Sequence, residues 1–224
     1  MTLSIIGRCS KTGQMGIAIS SSSIAVGARC PWLRSKVGAV STQNITLPAL
    51  GPRILDRLQQ GATAETALKA GLDTDDYAAW RQVTVMTTDG QSAFYSGEKT
   101  LGVNNALSGE NCVAAGNLLA NPDVIAAMVQ AFEQRSGHLA DRLIAAMQAG
   151  MSAGGEAGPV HSAALSIVDS PVWPIVDLRV DWTDADPIDE LNKLWQAYQP
   201  QMQDYITRAL DPTQAPSYGV PGDE

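Results

Sequence analysis

Asp89-Gly90 stands between two short strand-like runs, 83–87 and 92–95, and such a dipeptide readily takes the positive φ values of a tight hairpin. A second turn cluster, Ser10-Lys11-Thr12-Gly13-Gln14, joins runs 2–9 and 15–19, with Gly13 as its positive-φ residue. Two hairpins oblige neighbouring strands to run antiparallel, which excludes a single parallel sheet built from crossovers. Further strand-like runs lie at 37–42, 111–115, 162–168 and 174–180. The last alternates Ile175, Asp177 and Arg179 against Val176, Leu178 and Val180.

Helical spacing fills the gaps. Residues 47–60 put Leu50, Ile54, Leu55 and Leu58 on one face and stop at Gly61. Residues 63–70 open on Thr63-x-x-Thr66 and stop at Gly71. Asn121-Pro122-Asp123 is a helix start, followed by Val124, Ile125, Met128, Val129 and Phe132 on one face. Leu139, Leu143, Ile144 and Met147 mark a fourth helix, and a fifth starts near Asp186-Pro187. Paired helices between antiparallel strands predict an α+β fold, a four-layer α/β/β/α sandwich of two antiparallel sheets. No linker divides the chain, so residues 1–211 read as one domain and the Pro- and Gly-rich 212–224 as a flexible tail.

Composition narrows the chemistry. Hydrophobic residues make up 45% and charged residues 17% of 224, enough apolar content for one sizeable core. The net charge of −8 argues against a nucleic-acid partner, because phosphate binding needs clustered Lys and Arg. No apolar run approaches the ~20 residues that cross a bilayer, so no membrane partner is expected. The first residues lack the basic region of a signal peptide, and a cytoplasmic protein is expected. Cys9, Cys30 and Cys112 are too far apart for a ligand set, and His138 and His161 are the only histidines. No metal or cofactor is expected. Phosphate loops and the Gly-x-Ser-x-Gly elbow are missing.

What remains is a short inventory. His138 sits at a helix start and suits capping. His161 precedes a strand, either as a site residue or as a plain strand-edge histidine. Ser20-Ser21-Ser22-Ser23 can line a site or merely end a strand. Gly116-Asn117 and Gly154-Gly155-Glu156 read as turns, the latter alternatively as a mobile lip over a cleft. Ile188, Leu191, Trp195, Tyr198, Met202 and Tyr205 form a heptad-like seam that either covers the home sheet or supports a homodimer. Pro200 should kink or break that helix, leaving Met202 to Leu210 to reach a partner.

Thr2 follows the initiator Met directly and is small enough to be exposed by Met removal. It would then carry a hydroxyl nucleophile and an α-amine base in one residue, without histidine. Several stretches are similar to those of one family. They are residues 1–8, Gly16-Ile17-Ala18-Ile19-Ser20-Ser21-Ser22, Ala25-Val26-Gly27-Ala28-Arg29-Cys30-Pro31-Trp32 and Val37-Gly38-Ala39-Val40-Ser41-Thr42-Gln43. Later come Gly116-Asn117-Leu118-Leu119, Ala153-Gly154-Gly155-Glu156, Ser162-Ala163-Ala164-Leu165, Asp177-Leu178-Arg179-Val180-Asp181 and Pro187-Ile188-x-x-Leu191. Over residues 2–195 the chain thus resembles the bacterial "domain of unknown function 1028" proteins, which look like N-terminal nucleophile (Ntn) hydrolases. It departs from their pattern at Ser22, where many members carry Lys, and at Gly158-Pro159-Val160-His161.

The resemblance implies that the first strand presents Thr2 at the mouth between two sheets. It implies that a strand-to-helix turn at Ser41-Thr42-Gln43-Asn44 offers backbone N–H groups to an oxyanion. Ser21, Ser22, Asn117 and His161 would complete the substrate site. Arg29 would hold a substrate carboxylate or lower the α-amine pKa, unless it is a surface arginine. The expected activity is hydrolysis of an amide or related C–N bond in a small polar metabolite. Two alternatives stay open: a non-catalytic binding or assembly module on the same fold, and hydrolysis by Ser21 or Cys30 assisted by His161.

Overall fold

Alternate side chains of the first strand, β1 (Thr2–Arg8), enter two different layers. Leu3 and Ile5 join a cluster that includes Phe132, Leu143 and Trp195, whereas Ile6 meets Ala39 and Met86 and Ser4 reaches Gln43. A strand buried on both faces in this way must lie between helices and a second sheet, and the computed structural model, which describes residues 2–220, has that order.

Six strands form the first sheet, in the order β10 (Val176–Val180), β9 (Ser162–Val168), β2 (Met15–Ser21), β1, β8 (Cys112–Asn117) and β7 (Asn105–Gly109). The second runs β3 (Pro31–Arg34), β4 (Gly38–Asn44), β5 (Arg81–Thr87) and β6 (Ser92–Ser96). All the strand pairs are antiparallel. Helices α1 (Leu50–Gln59) and α2 (Ala64–Leu72) cover the second sheet. Helices α3 (Val124–Gln134), α4 (Leu139–Ser152) and α5 (Pro187–Leu210) cover the first. The molecule is the expected α+β sandwich of four layers, α/β/β/α.

Local signals account for most boundaries. Gly13 and Gly90 take φ of 81° and 94° in the two hairpin turns. Thr63 caps α2 through Thr66 N, Asp186 caps α5 through Ile188 N, and His138 Nδ1 caps α4 through Ala140 N. Two strands were not expected, β3 and β7. Both are sheet edges, and their sequences, PWLR and NALSG, are short or rich in small polar residues with weak strand preference.

Pro200 neither breaks nor ends α5, contrary to expectation. The carbonyl it leaves without a donor belongs to exposed Gln196, which water can serve, and Gln201 Nε2 donates to the next carbonyl, Ala197 O, at 3.0 Å. Ile188, Leu191 and Trp195 are buried on the home sheet, and Tyr198, Met202 and Ile206 pack partly against the same cluster. Beyond the helix, Arg208 Nη2 donates to Pro216 O at 2.8 Å and stacks on Tyr218 at 3.8 Å. The last part of the expected tail, 221–224, lies outside the described residues.

Gly7 lets α3 press on β1. A Cβ there would stand 2.5 Å from the Phe132 ring, far inside van der Waals contact. Gly7→Ala should lower stability by about 1–3 kcal/mol in urea unfolding. An unchanged midpoint would mean that the ring has room to turn.

Candidate active site at the amino end of the first strand

The layer between the sheets changes character along β1. Its far end is apolar: Ile6, Met15, Ile17, Ala39, Met86, Val113 and Val168. Its near end is built from hydroxyls and amides. Thr2 stands directly opposite Ser21 on β2 and Asn117 on β8, and Ser21 stands opposite Ser162 on β9. Directly opposed residues of an antiparallel ladder share a face, so these four side chains line one edge of the interior.

A run of hydrogen bonds leads from this edge to the surface. Thr2 Oγ1 lies 3.3 Å from Ser21 Oγ, which lies 2.9 Å from Ser23 Oγ, which accepts from Arg29 Nη2 at 2.6 Å. A guanidinium can only donate, and Ser21 Oγ also accepts from Ser23 N at 3.2 Å. In each hydroxyl pair either oxygen can donate, so the run joins Thr2 to the Arg29 cation with the protons running in either direction. Arg29 Nη1 also donates to Ile24 O and Ala25 O, at 2.5 and 2.9 Å, and so pins the loop after β2. Ser162 Oγ holds the same loop by donating to Ser23 O at 2.6 Å.

Beneath Thr2 lies a buried amide network that joins the expected Gln43 and Asn117 through Gln82, which the sequence did not single out. Ser4 Oγ donates to Gln43 Oε1 at 2.6 Å, and Gln43 Nε2 donates to Gln82 Oε1 at 2.8 Å. Asn117 Nδ2 donates to the same Gln82 oxygen at 3.1 Å. Gln82 Nε2 returns the contact by donating to Gly116 O and Ser96 Oγ, each at 3.0 Å. Gln82 is fully buried and ties the second sheet to the first just below the nucleophile candidate.

Three expectations change. Ser41, Thr42, Gln43 and Asn44 do not form a strand-to-helix turn; they are the end of β4, paired with residues 81–84 of β5. Thr42 N donates to Cys30 O at 3.0 Å, and the helix begins later, at Leu50. The backbone there belongs to the sheet ladder rather than to an oxyanion. Ser41 and Gln43 face the interior, but Thr42 Oγ1 turns to the other face and meets Thr46 Oγ1 at 3.3 Å. His161 reaches the cluster only through its backbone, with its N–H on Ser21 O at 2.9 Å. Its ring stacks on Trp182 at 4.3 Å and bonds Thr183 O at 2.9 Å, away from Ser21 Oγ. Burial pushes the Cys30 thiol up to about 11, which removes the thiolate a cysteine nucleophile needs.

The loops around this edge are strained. Ala25, Asn44 and Leu118 take φ of 53°, 70° and 51°, Asn44 as the last residue of β4 and the other two just past the ends of β2 and β8. Asn tolerates this region, whereas Ala and Leu are held there against a Cβ penalty, a feature that clusters at functional sites.

One more residue at this edge escaped the sequence reading as a site member. Glu156 is 5% exposed, and among the described residues neither carboxylate oxygen has a hydrogen-bond donor in place. Burial pushes its carboxyl up to about 8, with the nearby Ser22 N–H pulling the other way. A sequence signal existed: no Lys or Arg occurs between Arg142 and Arg179 to neutralise it.

Ser22 is half-exposed, and Thr2 is 6% exposed. Met1, whose removal the Thr2 chemistry needs, lies outside the described residues. Among the described residues no group of three or more His, Cys, Asp and Glu is placed to hold a metal, and no helix is long and apolar enough to cross a membrane.

Comparison with known proteins bears on this edge. The crystal structure of protein SPO2555 from Silicibacter pomeroyi is similar at 28% identity and a TM-score of 0.85, over 91% of this chain and 89% of that one. Anbu (ancestral beta-subunit) from Yersinia bercovieri has a TM-score of 0.41 at 10% identity, over 97% of this chain and 100% of that one. An Anbu (Gly-1) mutant from Hyphomicrobium sp. strain MC1 has 0.42 at 10%, over 92% and 99%. At those scores the two Anbu likenesses carry no weight for fold or chemistry. No curated protein matches the chain. The model of a family of unknown function, DUF1028, matches residues 2–191, a span that includes Thr2, Ser21, Arg29, Asn117 and Glu156, and the chain belongs to that family.

Proposed function

We propose that this protein is an amidohydrolase of the Ntn type, with Thr2 as nucleophile once Met1 is removed. The observation that carries this reading is the position of Thr2: first residue of a central strand, with its Oγ1 joined through Ser21 and Ser23 to a cation. In this reading Thr2 Oγ1 attacks the amide carbon and its proton passes to the α-amine, so a C–O bond forms as the carbonyl becomes an oxyanion. The α-amine then returns the proton to the leaving nitrogen as the C–N bond breaks. Water hydrolyses the resulting ester and restores Thr2. The oxyanion donor is the side-chain amide of Asn117, which has two hydrogens and gives one to Gln82. A small polar, nitrogen-containing substrate suits a rim of hydroxyls and amides.

The 6% exposure of Thr2 favours a second reading, a non-catalytic binding or assembly module on the same fold. A β-lactone, which acylates activated threonine, separates the two. Peptide mapping should place an adduct on Thr2; a chain that carries no adduct after prolonged incubation supports the binding module.

A cytoplasmic homodimer belongs to the same proposal, with exposed Leu194, Tyr205 and Leu210 of α5 as the contact. Light scattering at micromolar concentration should give a dimer, and truncation after Pro200 should give a monomer. A monomeric full chain would refute it.

A further inference from the structure

Glu156 has no place in the mechanism above, yet a carboxyl that is 5% exposed and meets no hydrogen-bond donor among the described residues is costly unless something compensates it. Its position suggests what does. Thr2 is opposite Ser21 and Asn117, and β1 runs antiparallel to both their strands. The chain beyond Ser21 and beyond Asn117 therefore extends past the amino side of Thr2. Glu156 sits between those two extensions. It pairs with Leu119 in an isolated antiparallel bridge, while Ala157 N donates to Leu118 O and Ala120 N to Gly155 O. On the other side the Ser22 N–H is near enough to draw its pKa down. Gly154 and Gly155, at φ of 126° and 63°, make the turn that delivers it there.

The other charged and titratable groups nearby are committed elsewhere. The Arg29 guanidinium holds Ser23 and two loop carbonyls, the His161 ring faces residues 182–184, and Cys30 is a buried neutral thiol.

We propose that Glu156 is the positioning residue for the α-amine of Thr2, its carboxylate fixing the amino group that Met1 removal exposes between the ends of β2 and β8. The inference rests on the Ntn reading for the exposed amine, but not on hydrolysis taking place. Held this way, the amine is aimed for proton exchange with Thr2 Oγ1.

The test uses full chains whose amino end is set at Thr2 by cleaving a fused leader, so natural processing is not required. NMR titration of the α-amine should give a pKa lower by about one unit or more in Glu156→Gln than in the unsubstituted chain, because the anion that favours the ammonium is gone. Glu156→Asp should recover part of the difference. Should Glu156→Gln not fold, the reciprocal measurement needs no substitution. Acetylating the Thr2 amine should raise the Glu156 carboxyl pKa by about one unit or more. Equal amine pKa values in folded Glu156→Gln and the unsubstituted chain, or an unmoved Glu156 on acetylation, would overturn the inference. A shifted pKa without any lactone adduct would instead overturn the hydrolase reading and leave this one standing.

Discussion

Thr2→Ala should lose β-lactone labelling entirely and, against any amide substrate found, lose roughly a thousandfold or more in kcat. Thr2→Ser should keep both, since a hydroxyl and an α-amine remain on one residue. The expected loss of stability is small, about 1 kcal/mol, because the hydroxyl pair it breaks with Ser21 is long, at 3.3 Å. That contrast is the useful part. A merely structural Thr2, buried as it is at 6% exposure, would show its effect in urea unfolding and not in labelling. Labelling that persists in Thr2→Ala would move the nucleophile to another hydroxyl, with Ser21 the first candidate.

The largest stability effect is expected one layer deeper. Gln82→Leu keeps the volume but takes two acceptor contacts from the amides of Gln43 and Asn117, and a donor from Gly116 O. All are enclosed, and each buried polar group left unpaired costs about 1–3 kcal/mol. A loss of roughly 3–5 kcal/mol in urea unfolding is expected, well above that of Gly7→Ala. A loss under about 1 kcal/mol would mean that water replaces the glutamine, and that Gln82 does not clamp the two sheets.

These two residues also mark how far the sequence can be read. Thr2 could be singled out as a candidate because its features are local: a small residue after Met, at the head of an apolar run. The layer order was legible for the same reason, since the Gly13 and Asp89-Gly90 turns and the faces of α1, α3 and α4 are set by neighbours in sequence. Gln82 was not legible. In Arg81-Gln82-Val83-Thr84 it looks like a polar strand start, and only the packing of a second sheet onto β5 turns it inward. Ser41 to Asn44 failed differently. The resemblance implied a turn there, but residues 42–44 stay paired with 81–83 of β5, beyond Ser41, where the pairing with β3 stops. Glu156 was read as part of a turn because Gly154-Gly155 dominates its surroundings. The absence of any nearby Lys or Arg was the one clue that its charge is answered from far away in sequence.

The central claim is that Thr2 is the working amino terminus. Intact-mass spectrometry of the protein purified from its native cells tests it in one reading. The account predicts a mass short of the full chain by one methionine residue, with Thr2 first. A population that retains Met1 throughout would leave Thr2 with a peptide nitrogen in place of its base, and would contradict it.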